Sequence, residues 1–397
     1  MSFATVIAQE SAVSVLRRMR TSARVPSALL FTGPPGVGKT TSALAFARDL
    51  LCEANDPTRA PSALSLLPAA AAHTTAPAAA TRDACGCCKS CRLAAKLVHP
   101  DLLVVVPTEK DGPEDAEEVG PTLERIRKAL DARLADPFYQ PEYKRKPSLG
   151  IGVIRGYVQA EMAKRPAESS RRVVVISEAD RLSDGAQNAL LKTLEEPPLW
   201  AHLILVTAKP DVLLDTIRSR CRVVRFAELP RELLAGLVSE HTHADTGRAR
   251  LIAGLAGGSL PRAMALAEKD EIDVARADAL QFVRAAREAT PKAAARVARA
   301  VVPSAADKDS GRLHRMGAMA LLWYEDVLLA RHGAADTQLA HADHAREIRD
   351  EAAGSDGTLL ARRVQAVLDM QSGLERNILA KLLVADTILK MQGGPTR

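Results

Sequence analysis

Apolar residues recur at helical spacing over 9–24, with Val13, Leu16 and Met19 near one face and Arg17, Arg18 and Arg20 largely off it. The run Ala28-Leu29-Leu30-Phe31 has the length of a buried strand, and helical spacing resumes through Leu44, Ala47, Leu50 and Leu51. Leu102 to Val106 predicts a second buried strand. Further on, Ile154 to Met162 reads as a helix, Arg172 to Ile176 as a third strand, and Leu182 to Leu194 as a helix stopped by Pro197-Pro198. Leu203 to Val206 and Arg222 to Phe226 supply a fourth and a fifth strand. Strands alternating with helices predict a parallel sheet covered on both sides. After about 228 the strand pattern stops and the spacing is helical to Arg397, broken at Gly257-Gly258-Ser259 and by loops near 303–311 and 353–357.

Two stretches interrupt this alternation. Residues 54–84 are rich in Ala, Pro and Thr without steady period, and read as a flexible insertion. Residues 109–150 open on Glu114, Asp115, Glu117 and Glu118, continue with an amphipathic helix near 121–135, and end in a Pro- and Lys-rich loop; they read as a second insertion.

The length, 397 residues, calls for two or three domains. The chain is 47% hydrophobic but only 3% aromatic, so its cores must be built from Ala, Leu and Val. The net charge of +6 is compatible with contact to a phosphate backbone without demonstrating it. No stretch approaches the roughly 18 to 20 apolar residues of a membrane span. Met1 to Glu10 has no charged start followed by an apolar run, so no signal peptide is expected and the expected location is the cytoplasm. Six cysteines in that compartment are reduced thiols or metal ligands.

Two motifs carry chemistry. Gly33-x-x-x-x-Gly38-Lys39-Thr40, with Gly36 between, matches the phosphate-loop pattern and lies between a strand and a helix. Its glycines let backbone N–H groups face phosphate oxygens, and the helix adds its positive end. Lys39 would reach the β- and γ-phosphates of ATP, and the Thr40 hydroxyl would ligate Mg²⁺. The companion acidic motif departs from expectation. After the strand Arg172-Val173-Val174-Val175-Ile176 comes Ser177-Glu178-Ala179-Asp180, with a neutral hydroxyl in the metal-binding slot. Glu178 stands where a water-orienting base would sit, while Asp180 reads as the residue opening the next helix. Binding without efficient turnover is the expectation. The second motif is Cys85-Gly86-Cys87-Cys88-Lys89-Ser90-Cys91, in which Cys85, Cys88 and Cys91 are spaced so that three sulfurs converge on one tetrahedral ion. Cys52 is the best fourth ligand and Cys87 its rival; a site closed by four thiolates would hold structural Zn²⁺.

The phosphate loop, the cysteines, the run Asn188-Ala189-Leu190-Leu191-Lys192-Thr193-Leu194-Glu195-Glu196-Pro197-Pro198 and the triplet Ser219-Arg220-Cys221 occur in this order. Together they resemble the clamp-loader subunits of bacterial DNA polymerase III, in the AAA+ superfamily, over roughly residues 1–270. The resemblance implies an α/β fold: an AAA+ P-loop parallel-sheet domain (1–227) with a zinc-binding knuckle (52–91), a small helical lid (228–270) and an all-α C-terminal collar (271–397). It implies as partners the gamma/tau and delta types of loader subunit, the sliding clamp, and primer-template DNA held through its backbone, and no membrane. Ser177 tilts the resemblance from the ATP-hydrolysing gamma/tau type toward the stator-like delta-prime type. The alternatives are a gamma/tau-type motor and another AAA+ machine. Arg220 matches the arginine presented to a neighbour's ATP; read alone, Arg218, Arg220 and Arg222 alternate as on the polar face of an exposed strand. Thr207 matches the family's γ-phosphate sensor, or is an ordinary strand-end threonine. Arg262 stands near the second sensor arginine, with Pro261 at or beside the expected position.

Overall fold

The computed structural model describes residues 2–21, 25–56, 83–109, 119–136, 138, 139, 141, 143, 145–268, 271–288, 290–302, 310–375 and 379–391. Most of the 54–84 insertion, the acidic residues Glu114, Asp115, Glu117 and Glu118, and most of the 303–311 loop lie outside them. The chain divides into two compact units, Met1–Leu229 and Pro230–Arg397.

The first unit is built on five parallel strands, β1 (Ala28–Thr32), β2 (Leu102–Val105), β3 (Arg172–Ile176), β4 (Ala201–Thr207) and β5 (Arg222–Arg225), in the order β2-β3-β4-β1-β5. Successive strand side chains point to opposite faces, and β2, β3 and β4 are buried at every position, so both faces are covered. At the edge, β5 buries only Val224. The register sets Thr32 opposite Thr207 and Ile176 opposite Leu205, so the carboxyl ends of β1, β3 and β4 stand side by side. That end of an open parallel sheet is where ligands bind.

The covering helices follow the apolar spacing. Helix α1 (Glu10–Thr21) buries Val13 and Leu16. Helix α2 (Lys39–Leu51), rising from the phosphate loop, buries most of its length and packs on β1, β3 and β4. Helix α3 (Lys89–Ala95) is short and packs on α2. Helix α4 (Val119–Ala135) lies in the second insertion and buries Thr122, Ile126 and Leu130, one stripe at i, i+4 and i+8. The helix expected over 154–162 is present within an unbroken helical run made of α5 (Ile151–Val153), a π-helical stretch (Ile154–Gln159) and α6 (Ala160–Ala163). Helix α7 (Asp184–Glu195) starts two residues later than the spacing suggests, because the Ser183 hydroxyl caps it by accepting from the Ala186 N–H.

The alternative reading of the three arginines fails here. Residues 215–220 form a short helix, α8 (Asp215–Arg220), so Arg218 and Arg220 are not on an exposed strand; only Arg222 is. Three arginines at alternate positions mimic a strand, but Asp215 at the start of the helix and its ion pair to Arg218 favour a helical turn.

The second unit has no strand among its described residues and is built of α9 (Arg231–Thr242), α10 (Thr246–Ala256), α11 (Leu260–Ala267), α12 (Glu271–Glu288), α13 (Pro291–Val301), α14 (Ser310–Arg331), α15 (Ala345–Gly354), α16 (Gly357–Glu375) and α17 (Ala380–Lys390). Gly257 and Gly258 take positive φ, and Ser259 caps α11. Helices α10 and α14 pack closely enough that a Cβ on Gly254 would lie 2.7 Å from Leu322. The core holds the few large aromatics, Phe282, Trp323 and Tyr324, and the Trp323 indole N–H donates to buried Glu351 at 2.9 Å. No helix among the described residues is long and apolar enough to cross a membrane.

Candidate functional site

The loop after β1 turns through positive φ at Gly33, Gly36 and Gly38, the conformations a phosphate cradle needs. Gly33 answers a second demand, since a Cβ there would lie 2.3 Å from the Phe226 carbonyl oxygen at the end of β5. Lys39 opens α2 with its ammonium folded onto the loop, donating to the carbonyls of Gly33 (2.6 Å) and Pro34. Burial pushes this lysine down to about 8, opposed by the charges of Asp180 and then Glu178. An incoming phosphate would replace the two carbonyls and hold the proton on.

Beside the loop stand the ends of β3 and β4. The Thr40 hydroxyl lies 3.0 Å from the buried Ser177 hydroxyl. The metal slot therefore holds two neutral hydroxyls in contact, and Ser177 offers a divalent cation no carboxylate there; the position does not fit the usual Mg²⁺ ligand set. Glu178 sits in the left-handed region at φ 52° and is held by Arg133 of α4, whose guanidinium donates to Oε1 at 2.8 Å. Thr207, buried at the end of β4, donates its hydroxyl to Asp180 Oδ1 at 2.7 Å and accepts from the Lys209 N–H at 2.9 Å. Asp180 is thus more than a residue opening the next helix. It lies in the 3₁₀ turn Ala179–Arg181, bonded to the Thr207 hydroxyl and felt by Lys39. Sequence reasoning missed it because its partner lies 27 positions away on another strand.

Arg220 ends α8 with an exposed guanidinium, donating to the Thr216 carbonyl at 3.1 Å and to Glu195 Oε1 at 2.9 Å. Arg262 is exposed in the first turn of α11, with Pro261 beside it, in the second unit.

The cysteines come together where α2 ends. The Sγ atoms of Cys52, Cys85, Cys88 and Cys91 all lie within 4.8 Å of one another, and Cys87 is exposed outside the group. Four thiolates at about 2.3 Å from a tetrahedral ion would be about 3.8 Å apart, so the set can hold a metal ion with slight contraction. Backbone N–H groups already point at sulfur, from Cys85 to Cys52 (3.4 Å), from Cys88 to Cys85 (3.4 Å) and from Cys91 to Cys88 (3.3 Å). The Cys91 thiol donating to Cys52 pushes Cys52 down to about 5, and the same contact pushes Cys91 up. The sixth cysteine, Cys221, is a different case: burial alone pushes its thiol up to about 12, which leaves it inert.

A family model described as "DNA polymerase III, delta subunit" matches residues 62–230. The DNA polymerase III subunit delta-prime of Bacillus subtilis is 26% identical over 94% of this chain and 92% of its own length. The chain is similar to the delta-prime subunits of bacterial DNA polymerase III. The delta-prime subunit of Escherichia coli is also 26% identical, over 61% of this chain and 55% of its own length. The gamma/tau subunit of Mycobacterium tuberculosis is 29% identical, but that match spans 66% of this chain and only 35% of the relative. A solved gamma subunit-related protein of Thermotoga maritima covers 96% of this chain and 98% of its own at 15% identity, with a TM-score of 0.32, too low to bear on function. The described residues combine a parallel five-stranded sheet, a four-cysteine cluster and a helical C-terminal region.

Proposed function

We propose that the chain is a stator-like subunit of a clamp loader, which helps place a sliding clamp on primed DNA and completes a neighbour's ATP site with Arg220. One observation carries the choice of stator over motor: Ser177, touching Thr40 at 3.0 Å, stands where an ATPase needs a carboxylate for its metal. The phosphate loop keeps its glycines and Lys39, so this chain binds ATP and turns it over slowly or not at all. Cys52, Cys85, Cys88 and Cys91 hold a structural Zn²⁺ that fixes the end of α2 to α3.

Arg220 supports the reading by its chemistry. Its guanidinium is exposed, and Glu195 and Thr216 orient it. Inserted beside a neighbour's γ-phosphate, it would offset charge developing on the transferred phosphoryl group. Gamma/tau- and delta-type subunits are the protein partners, the helices of 271–397 form the oligomerising collar, and DNA is met through its phosphates. Thr207, with Asp180, acts as the γ-phosphate sensor, and Arg262 belongs to the lid.

The test is Arg220→Ala in a reconstituted loader. Assembly should persist, while DNA-stimulated ATP turnover falls roughly 10³-fold at the site that receives the arginine. Unimpaired loading by the variant would remove the finger assignment. Robust, Lys39-dependent turnover by the isolated chain would make it a motor.

A further inference from the structure

Helices α9 and α10 and the turn Asp336–Gln338 line a cleft of about 440 Å³ within the second unit. Small residues make the room. Ala235 and Gly236 on α9 and Ala249 on α10 line it, and a Cβ added at Gly236 would meet no atom within 4 Å. The volume falls in the range of roughly 300–1,000 Å³ that small-molecule sites occupy. The walls are fixed from α14. Arg231 ties α9 to Glu325 of that helix at 2.6 Å. The buried Asp326 carboxylate accepts the backbone N–H groups of Ala340 and His341 and the His341 ring N–H, which pins the residues after the turn.

One charge in this cleft lacks a counter-ion. Arg231, Arg248, Arg276, Arg312, Arg315 and Arg363, the other buried or half-buried arginines described in the second unit, each reach a carboxylate. Arg250, half-buried on α10, has neither ion pair nor hydrogen bond among the described residues. A partly desolvated guanidinium gains from an anion that replaces the water it has lost. Further donors line the cleft with it. The Thr246 and Thr337 hydroxyls make no hydrogen bond among the described residues. Gln338 uses its amide oxygen to accept from the Ala335 N–H at 2.9 Å, which leaves its amide nitrogen to donate. Glu232, on the exposed side of α9, is the one carboxylate among the lining residues.

We propose that this cleft is a binding site for a small phosphate monoester, of the size of a sugar phosphate, with the phosphate on Arg250 and the organic part over Gly236. A phosphate monoester offers several strong acceptor oxygens, which a forked guanidinium, two hydroxyls and an amide can share. The cleft is larger than a bare phosphate needs, and Glu232 can accept from hydroxyl groups on the rest of the molecule. The site is distinct from the phosphate loop, which lies in the first unit. Its ligand joins α10 to the turn after α14, so occupancy stabilises the helical region.

Phosphorus NMR of ribose 5-phosphate in the presence of the full-length chain tests the site. The resonance should broaden at millimolar ester, and ribose should not reverse the broadening. Arg250→Gln should weaken binding about tenfold or more, because it removes the charge-assisted hydrogen bonds. Gly236→Leu, which fills the cleft, should abolish binding. Circular dichroism checks that both variants keep their helix content, and Thr337→Val, which removes one donor at nearly constant shape, should cost a few-fold if Gly236→Leu does not fold. Binding at the phosphate loop would survive all three changes, so equal broadening by the folded variants would overturn the site, as would no broadening by the unaltered chain. Competition by inorganic phosphate as strong as by unlabelled ester would overturn the ester, since the organic part would then add nothing.

Discussion

Gly33 shows how one position can serve two masters. Its φ of 148° suits the phosphate loop, and its missing Cβ admits the Phe226 carbonyl. Gly38, at φ 92°, has open space where a Cβ would go, so only its backbone conformation demands glycine. Gly33→Ala should therefore cost more than Gly38→Ala. The first meets backbone, which cannot swing aside, and overpacking of that kind costs about 1–3 kcal/mol beyond the conformational term. Urea unfolding of the two variants checks the order; equal losses would mean that β5 yields easily. The motif made both glycines legible in the sequence. Ser177 was legible too, because the acidic motif directly follows the strand Arg172 to Ile176 in the chain. The Asp180–Thr207 bond was hidden, since it depends on which strand lies beside β3.

At the scale of elements, the alternation of apolar runs was enough to read β1 to β5 and most of the helices, because buried strands and amphipathic helices leave different periods. It missed where local capping or charge decides. Ser183 delays α7, Asp215 turns 215–220 into a helix, and the helix over 154–162 gave no sign of its π geometry. The knuckle is a case where the spacing of three cysteines was legible but the fourth was open between Cys52 and Cys87. What brings Cys52 in is the packing of α2 on α3, a tertiary fact. Metal analysis can test this element directly. The unaltered chain should carry one equivalent of zinc, and so should Cys87→Ser. Cys52→Ser or Cys91→Ser should lose most of it, because each removes a buried ligand with no substitute in reach. Retention of a full equivalent by Cys52→Ser would show that another set of ligands holds the ion.

At the scale of the whole molecule, the proposed functions divide along the same line as the cores. The phosphate loop, Ser177, Glu178, Arg220 and the four cysteines all lie in Met1–Leu229, whose apolar cluster runs from Phe3 to Phe226. The helices of Pro230–Arg397 have their own core around Phe282, Trp323 and Tyr324. Two cores in one chain allow two unfolding transitions, and a ligand that binds only the folded form of one unit raises only that unit's transition. A nucleotide at about 100 times its Kd stabilises by about 2.7 kcal/mol, and a zinc chelator acts in the opposite sense on the same unit. Calorimetry should therefore show one transition that rises with ATP and falls with chelator, beside another that neither reagent moves. If both transitions shift together, the units unfold as one and the sites influence the helical region through its contacts. If neither reagent moves any transition, the loop and the cysteines are relics of their motifs. Only the first outcome leaves the C-terminal helices free to serve association while the sheet keeps nucleotide and metal.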